Sequence, residues 1–487
     1  MPQDSMVPSG LTRPGLLDDS RGAVARFARS VVQVRPDATI ADTARYITEA
    51  GQSCALVAAR HGFGIVTDSD FRRGLATGHV AASDHIVRLA TFPAISVPEG
   101  TGVATAFLTM LHRDVHHLVV TGADGSPSGV VRLTDMTAGE VRDPLLVRDA
   151  IRASATVAEL ADATRMIGGT AVELFDTGVP ARQIGGLLAA VTESVLQRLL
   201  TFHASELDHR GQTSFLVLGS LARREPLPLS DVDTALVWAD PTEGRAPGEL
   251  LRGVAEQIIV DLETCGLRRC VDGANASNPL FSRSVSDWTA AAPRWISQPS
   301  GGRSLLLTSM IADSRPLTNL GLGRRVLDAL LEVARSREFL DPLLRFTVSS
   351  KPPTGLVKDF VLEHSGVHRG QVDLKRGGLL PISSLGRWAA VLTGDGRGST
   401  VDRLRRGQEA GIFTADEVEA LVGSFDEIYA LLLRREVESI RAGRPDLDHH
   451  VDPKTLDPLT RRYVRDAFRS ISEVQARLLS DGPGRIR

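Results

Sequence analysis

The chain has 487 residues, 42% of them hydrophobic, with 56 basic and 59 acidic side chains and a net charge of -3, a composition expected of a soluble protein of about three domains. No apolar run approaches the ~20 residues needed to cross a bilayer, and the amino terminus, MPQDSMVPSG, has no basic stretch followed by an apolar one, so a cytoplasmic protein without a membrane partner is expected. The basic residues are nearly all arginines scattered along the chain, which argues against a nucleic-acid partner, and Cys54, Cys265 and Cys270 contain no C-x-x-C pair, which argues against a disulfide framework or a zinc site.

Residues 29–77 and 86–140 repeat one order of elements. Each has a short strand (Val31 to Val34; Ala94 to Val97), a Pro-containing turn, an amphipathic helix and two strands ending in a Gly-initiated apolar run and an Asp, GIVTDSDF at 64–71 and GVVRLTDM at 129–136. A unit of this size leaves an apolar face uncovered, so the copies are expected to pack on each other. Both copies resemble CBS modules, and the resemblance implies a tandem pair over 22–140 that binds an adenine nucleotide in its cleft and forms a homodimer. On that resemblance Thr67 and Asp70 match the T-x-x-D that contacts phosphate and ribose. In the second copy Asp135 matches, while Arg132 stands at the Thr position, which either removes the phosphate end of a second site or converts it to an ion pair. A scaffold with an empty cleft is the alternative. His116 and His117 enter the strand Leu118 to Val120 and face opposite ways, not towards one metal.

Residues 141–212 read as a helical connector. Thr156 and Glu159 fit a capping box ahead of Leu160, Ala163, Met166 and Ile167 at helical spacing, and a second amphipathic run from Ile184 to Leu207 follows Pro180. Next comes FLVLGSLARREPLPLSDVDTALVW at 215–238. Leu216 to Leu218 form an apolar strand, Gly219 permits a tight turn, and Ser220 opens a helical turn whose free N–H groups suit phosphate oxygens. Asp231 and Asp233, two apart on one expected strand, share a face. Taken singly, Gly-Ser is an ordinary turn and Asp-x-Asp an edge-strand charge pair. Together they place two carboxylates beside a phosphate cradle, the arrangement that magnesium-dependent nucleotidyl transfer needs.

The Gly-Ser turn followed by D-x-D resembles the nucleotidyltransferase superfamily of the DNA polymerase β type. Gly219, Ser220, Arg223, Glu225, Ser230, Asp231 and Asp233 further resemble the G-S-x-G-R-x-E…S-D-x-D variant of the PII-protein uridylyltransferase amino-terminal domain, with Ala222 where that pattern has Gly. The resemblance implies a catalytic domain over 213–320, with Mg2+ (or Mn2+) on Asp231 and Asp233, the triphosphate on Gly219 and Ser220, and Arg223 assisting by charge. A third carboxylate is usual in the superfamily. Asp272 is favoured by its place after the helix Pro247 to Cys265, and Asp313 by the family-like D-x-R-P that ends LLLTSMIADSRPL; both stay candidates, and for Asp313 a salt bridge to Arg315 is the alternative.

From 321 to 487 the chain reads as helices. Thr414 and Glu417 cap a run carrying Val418, Leu421, Phe425, Ile428 and Leu432, and the last helix carries Val464, Phe468, Ile471, Val474 and Leu478. Asp373-Leu-Lys375 to Pro381-Ile resembles the D-L-K…G-L-x-P-I segment of the nucleotidyltransferase substrate-binding domain. There Lys375, in a chain with few lysines, is either a contact to the triphosphate or a solvated surface group. Asp448-His449-His450-Val-Asp452 sits in a Pro-flanked loop and lacks a hydrolase set.

The expected fold is a mixed α/β and α+β multidomain chain: tandem CBS pair, helical connector, polymerase β-like catalytic domain and helical carboxy-terminal domain. The implied function is that of a bacterial signalling enzyme. It transfers UMP or AMP from a nucleoside triphosphate to a PII-like protein or small acceptor, under control of adenine nucleotide at the CBS pair. The alternative is a non-catalytic adenylate sensor with a degenerate nucleotidyltransferase fold.

Overall fold

The computed structural model describes residues 24–59, 62–132, 144–208, 213–240, 248–297, 302–334, 336–354, 367–443 and 448–482. The chain divides into two compact units, residues 1–140 and 141–487.

The first unit contains the expected repeat. In one copy β1 (Val32–Val34) runs parallel to β2 (Cys54–Ala59), which forms a hairpin with β3 (Gly62–Thr67); in the other, β4 (Ser96–Pro98) runs parallel to β5 (His117–Thr121), which forms a hairpin with β6 (Pro127–Arg132). A helix crosses over in each copy, Ile40–Glu49 and Val103–Arg113. The first starts where Thr39 accepts from the Asp42 amide, satisfying a donor that has no partner within the helix. Side-chain alternation along β2 decides the packing. Ala55 and Val57 join a core with Ile40, Ile47 and Phe71 of their own copy, whereas Cys54 and Leu56 join Ala94, Val119 and Val130 of the other. Each copy thus covers the face that the other leaves bare. Asp135 lies outside the described residues.

The second unit begins with the helices Pro144–Ala153, Val157–Thr164, Met166–Asp176 and Ala181–Phe202. Thr156 caps the second by accepting from the Glu159 amide. The fourth is buried on most of its circumference, from Ile184 through Leu200, as befits a helix packed from several sides. A four-stranded sheet follows in the order β11 (Ser282–Ser284), β9 (Thr234–Trp238), β7 (Thr213–Val217), β12 (Arg315–Pro316). Beside it β8 (Asp231–Val232) runs parallel to β10 (Arg268–Arg269). Asp231 and Asp233 are therefore not on one continuous strand. Asp231 pairs with Arg268 in the small ladder, the chain breaks at Asp233, and Thr234 enters the larger sheet opposite Val217.

The carboxy-terminal part is helical, with Leu380–Thr393, Thr400–Glu409, Ala415–Arg441 and Pro458–Asp481 as its main elements. One departure from an all-helical domain is a short antiparallel pair, β13 (Val372–Asp373) with β14 (His450–Val451).

A buried ionic cluster joins the sheet to these helices. Asp313, fully buried, follows the helix Gly302–Ala312. Its carboxylate accepts from Arg223 after the Gly-Ser turn, from Arg387 on Leu380–Thr393 at 2.8 and 2.6 Å, and from Arg403 on Thr400–Glu409. Glu225 takes the Nε of Arg223 at 3.0 Å and caps the start of Thr400–Glu409, accepting from the Thr400 amide at 2.6 Å and its hydroxyl at 2.8 Å. Burial alone would raise the Asp313 carboxyl, but the Arg387, Arg223 and Arg403 guanidiniums hold it well below the usual carboxylate range. A group depressed in the folded state contributes stability that is present above its unfolded value of about 3.9 and is lost as pH falls below it.

Removing the shared acceptor would strand buried guanidiniums, so Asp313→Ala is expected to destabilise the second unit by about 3–5 kcal/mol. Denaturant or thermal unfolding at neutral pH measures this, and the gap between the variant and the parent should narrow in acid.

Candidate functional site

The sheet register builds the site. Val217 at the end of β7 pairs with Thr234 at the start of β9, and one step further the Leu218 amide donates to the Asp233 carbonyl at 2.9 Å. The turn that follows is thereby set against Asp233. Gly219 has φ +59, and a Cβ built there would lie 2.7 Å from Asp233 Oδ2. Only glycine meets both conditions, a left-handed backbone and a carboxylate where a methyl group would stand. Gly219–Ala222 is a single helical turn.

The loop 226–230 that returns to Asp231 is fastened from outside. Tyr429 donates to the Pro226 carbonyl at 2.7 Å and the Leu229 amide donates to Glu436 at 2.7 Å, both partners on Ala415–Arg441. Arg315 donates from Nε to the Ala222 carbonyl at 3.1 Å and from Nη2 to Leu221 at 3.3 Å, closing the end of the short helical turn, and it also pairs with Glu193 on the helix Ala181–Phe202. The salt bridge to Arg315 that stood as the alternative role for Asp313 is not formed: Arg315 pairs with Glu193, and Asp313 with its three arginines.

Asp231, Asp233 and Cys270 bring one ligand atom each within 4.8 Å of one another. Cys270 arrives by way of β10, which places it beside β8, and a tight loop holds it: Asn275 donates to the Cys270 carbonyl at 2.9 Å, the Ala276 amide to Thr234 Oγ1 at 2.9 Å, and Asn278 to the Gly273 carbonyl at 2.8 Å. The Ala276-Ser-Asn-Pro stretch thus serves as a brace. Burial pushes the Asp233 carboxyl up to about 6, with Asp231 adding repulsion, while a hydrogen bond from the Cys270 thiol, Lys375 and Arg223 oppose the rise. Burial and the negative charge of Asp233 push Cys270 up to about 12, so at neutral pH it is a thiol that donates. Two carboxylates held together against their mutual repulsion suit a hard divalent cation such as Mg2+, which relieves that repulsion.

The sequence candidates separate into three groups. Gly219, Ser220, Asp231, Asp233 and Lys375 come together. Lys375 is half-buried at the start of a π-helical turn, Lys375–Leu379, and close enough to Asp233 to lower its pKa. Gly377 and Gly378 let that turn pack tightly, since added Cβ atoms would meet Pro353 at 2.5 Å and Ile428 at 2.6 Å. Arg223 lies near Asp233, but its guanidinium is buried and bonded to Glu225 and Asp313, so it acts as a fixed background charge. Asp313 sits in the arginine cluster, and Asp272 is exposed and outside the Asp231–Asp233–Cys270 group. The residue that sequence reasoning missed is Cys270. Its signal was its position just after the helix Gly248–Thr264, where an acid was sought.

In the first unit Thr67 and Asp70 are half-buried, and Thr67 donates to Asp70 Oδ2 from its amide at 2.9 Å and its hydroxyl at 2.7 Å, capping the helix Asp68–Ala76. Beside the D-L-K segment an open cavity of about 390 Å³ is lined by Ser349, Lys351, Asp373 and Arg376 among others.

Two substitutions test this geometry. A carboxyl raised in the folded state contributes stability below its unfolded value of about 3.9 and loses it as pH rises through about 6. Asp233→Asn removes that loss, so at pH 7.5 in chelator the variant should melt above the parent, with the difference vanishing near pH 4; a lower melting temperature at pH 7.5 contradicts the assignment. Gly219→Ala should strain the left-handed turn and displace the Asp233 carboxylate, destabilising the second unit by about 1–3 kcal/mol, read by calorimetry.

Residues 86–139 match the family described as "CBS domain", residues 165–302 "Putative nucleotidyltransferase DUF294", and residues 337–481 "Putative nucleotidyltransferase substrate binding domain". A search of curated proteins returned no match. Among solved structures, a CBS domain protein from Pyrobaculum aerophilum complexed with AMP is 21% identical, covering 24% of this chain and 92% of its own, with a TM-score of 0.23. A CBS-domain containing protein from Agrobacterium tumefaciens is 20% identical, covering 23% and 94%, with a TM-score of 0.21. Along the chain the matches thus run in the order CBS domain, DUF294 and nucleotidyltransferase substrate binding domain.

Proposed function

We propose that the chain transfers a nucleoside monophosphate, UMP or AMP, from a nucleoside triphosphate to a protein or small acceptor. The observation that carries this reading is the convergence of Asp231 and Asp233 with Gly219 against the Asp233 carboxylate and Lys375 nearby. Asp231 and Asp233 would hold Mg2+, which when bound supplies charge neutralisation of the phosphates and activation of the attacking oxygen. The amides of the Gly219–Ser220 turn orient the triphosphate, and Lys375, as a point charge, draws its phosphates towards the carboxylates. Cys270 stays protonated and steadies Asp233. The cavity beside Lys375 offers cationic walls from Lys351 and Arg376, suited to the remainder of the nucleotide or to an acidic acceptor. In-line attack by the acceptor hydroxyl breaks the bond between the α- and β-phosphates, and pyrophosphate leaves.

For the amino-terminal unit we propose a tandem CBS pair that takes an adenine nucleotide at Thr67 and Asp70 and tunes this activity, with dimerisation through the pair. The domain limits 22–140, 141–212, 213–320 and 321–487 are part of the same proposal. A non-catalytic adenylate sensor is the second reading, favoured by a thiol standing where a third acid is usual.

Pyrophosphate release with Mg2+ and UTP or ATP decides between them. Asp231→Asn should lower it by at least about 1,000-fold with the circular dichroism spectrum unchanged. Undiminished release would refute the catalytic assignment, and its absence from the parent in the presence of lysate acceptors would favour the sensor.

A further inference from the structure

Cys270 stands beside the two carboxylates in surroundings that favour a thiolate. One ligand atom each of Asp231, Asp233 and Cys270 lies within 4.8 Å of the other two. Cys270 is 4% exposed, and its thiol donates to the Asp233 carboxylate. The loop after it wraps the sulfur. The Ala274 amide donates to Cys270 Sγ, the Asn275 side chain donates to the Cys270 carbonyl at 2.9 Å, and the Ala274 carbonyl accepts from the Thr234 amide at 2.8 Å. Gly273, at φ +86, permits that turn. An amide aimed at sulfur supports negative charge there, as do the outer contacts that tune a metal-bound ligand.

The three donors differ in kind. Mg2+ takes oxygen ligands and leaves a thiol idle, whereas a zinc-class ion binds thiolate sulfur at about 2.3 Å and carboxylate oxygen at about 2.0–2.2 Å. Three protein ligands and an open fourth position suit such an ion, and the thiol proton passes to solvent as it binds. Asp231 and Asp233 are half-buried, so an ion can reach them. Two carboxylates and a thiolate carry more negative charge than a divalent ion neutralises, and Lys375, whose charge already acts on Asp233, offsets the excess. Among the described residues no group of ligand-type side chains includes Cys54 or Cys265. A site with a single thiol has no C-x-x-C spacing, which is why the cysteine pattern pointed away from zinc.

We propose that Asp231, Asp233 and Cys270 form a site for a thiophilic divalent ion of the zinc class, which competes with Mg2+ for the two carboxylates and holds the nucleotide site inactive. The proposal rests on the reading of those carboxylates as a cation site and adds a selectivity that a third carboxylate would not give. A hard ion leaves Cys270 protonated on Asp233; a thiophilic ion makes it a ligand.

The test uses the full chain with Cd2+ as the probe, whose thiolate complexes absorb in the ultraviolet by sulfur-to-metal charge transfer. Titration should raise this band to one equivalent, with Zn2+ reversing it and excess Mg2+ moving its midpoint to higher Cd2+. Cys270→Ser should remove the band and weaken Zn2+ at least about tenfold, while Mn2+ binding, read by electron paramagnetic resonance, changes by less than about threefold. If Cys270→Ser does not fold, Asp231→Asn, which leaves every thiol in place, should move the Cd2+ midpoint by about tenfold or more. No band in the parent, a band that survives Cys270→Ser, or a midpoint unmoved by Asp231→Asn overturns the proposal. Mn2+ binding without the band would sink the thiolate ligand and leave the carboxylate site standing, whereas a parent that binds neither ion removes both.

Discussion

The Asp313 carboxylate holds together two parts of the chain that the candidate site needs at once. Its oxygens are divided among Arg223 beside the Gly-Ser turn and Arg387 and Arg403 on two helices of the carboxy-terminal part. Glu225 completes the junction by capping Thr400–Glu409. Charges buried this deeply stabilise only when every partner is present, so the cluster fixes one relative placement of sheet and helices. That placement brings the charge of Lys375 within electrostatic reach of Asp233.

The buried Asp313 and the half-buried Asp233 are displaced in opposite directions by their surroundings. Three guanidiniums overcome burial at Asp313, whereas at Asp233 burial and the Asp231 charge prevail over the thiol and the more distant cations. The first arrangement strengthens the fold; the second weakens it in a way that a bound cation would relieve. Such a division is expected where a scaffold supports a site held in an unfavourable state until its ligand arrives. The brace from Arg315 to Glu193 and the anchors from Tyr429 and Glu436 act likewise, closing carbonyls and amides that the short turn and the loop 226–230 cannot satisfy themselves.

Much of the architecture was legible in the sequence because it follows from local periodicity. The alternation in β2 and the capping residues Thr156 and Thr414 act within a few residues of themselves, and the Gly219 to Asp233 motif is a compact hairpin-like unit. The D-x-D was misread as one strand because alternation says which way a side chain points and not where a ladder ends; Asp233 falls where the chain passes from one sheet to another. The third-acid candidates failed to join the site for a related reason. Asp313 reaches three arginines, but those arginines lie 90, 74 and 90 residues away.

The sequence by itself determined the repeated strand-helix-hairpin units, the helical segments, and the pairing of a Gly-Ser turn with two carboxylates, since each depends on neighbours close along the chain. The tertiary structure alone decided that Cys270 stands beside those carboxylates, that Asp313 and Arg223 belong to a buried clamp, that Lys375 approaches Asp233, and that His368 stacks on His450. Contacts across 37 to 142 residues are set by packing, which leaves no periodic trace in the sequence.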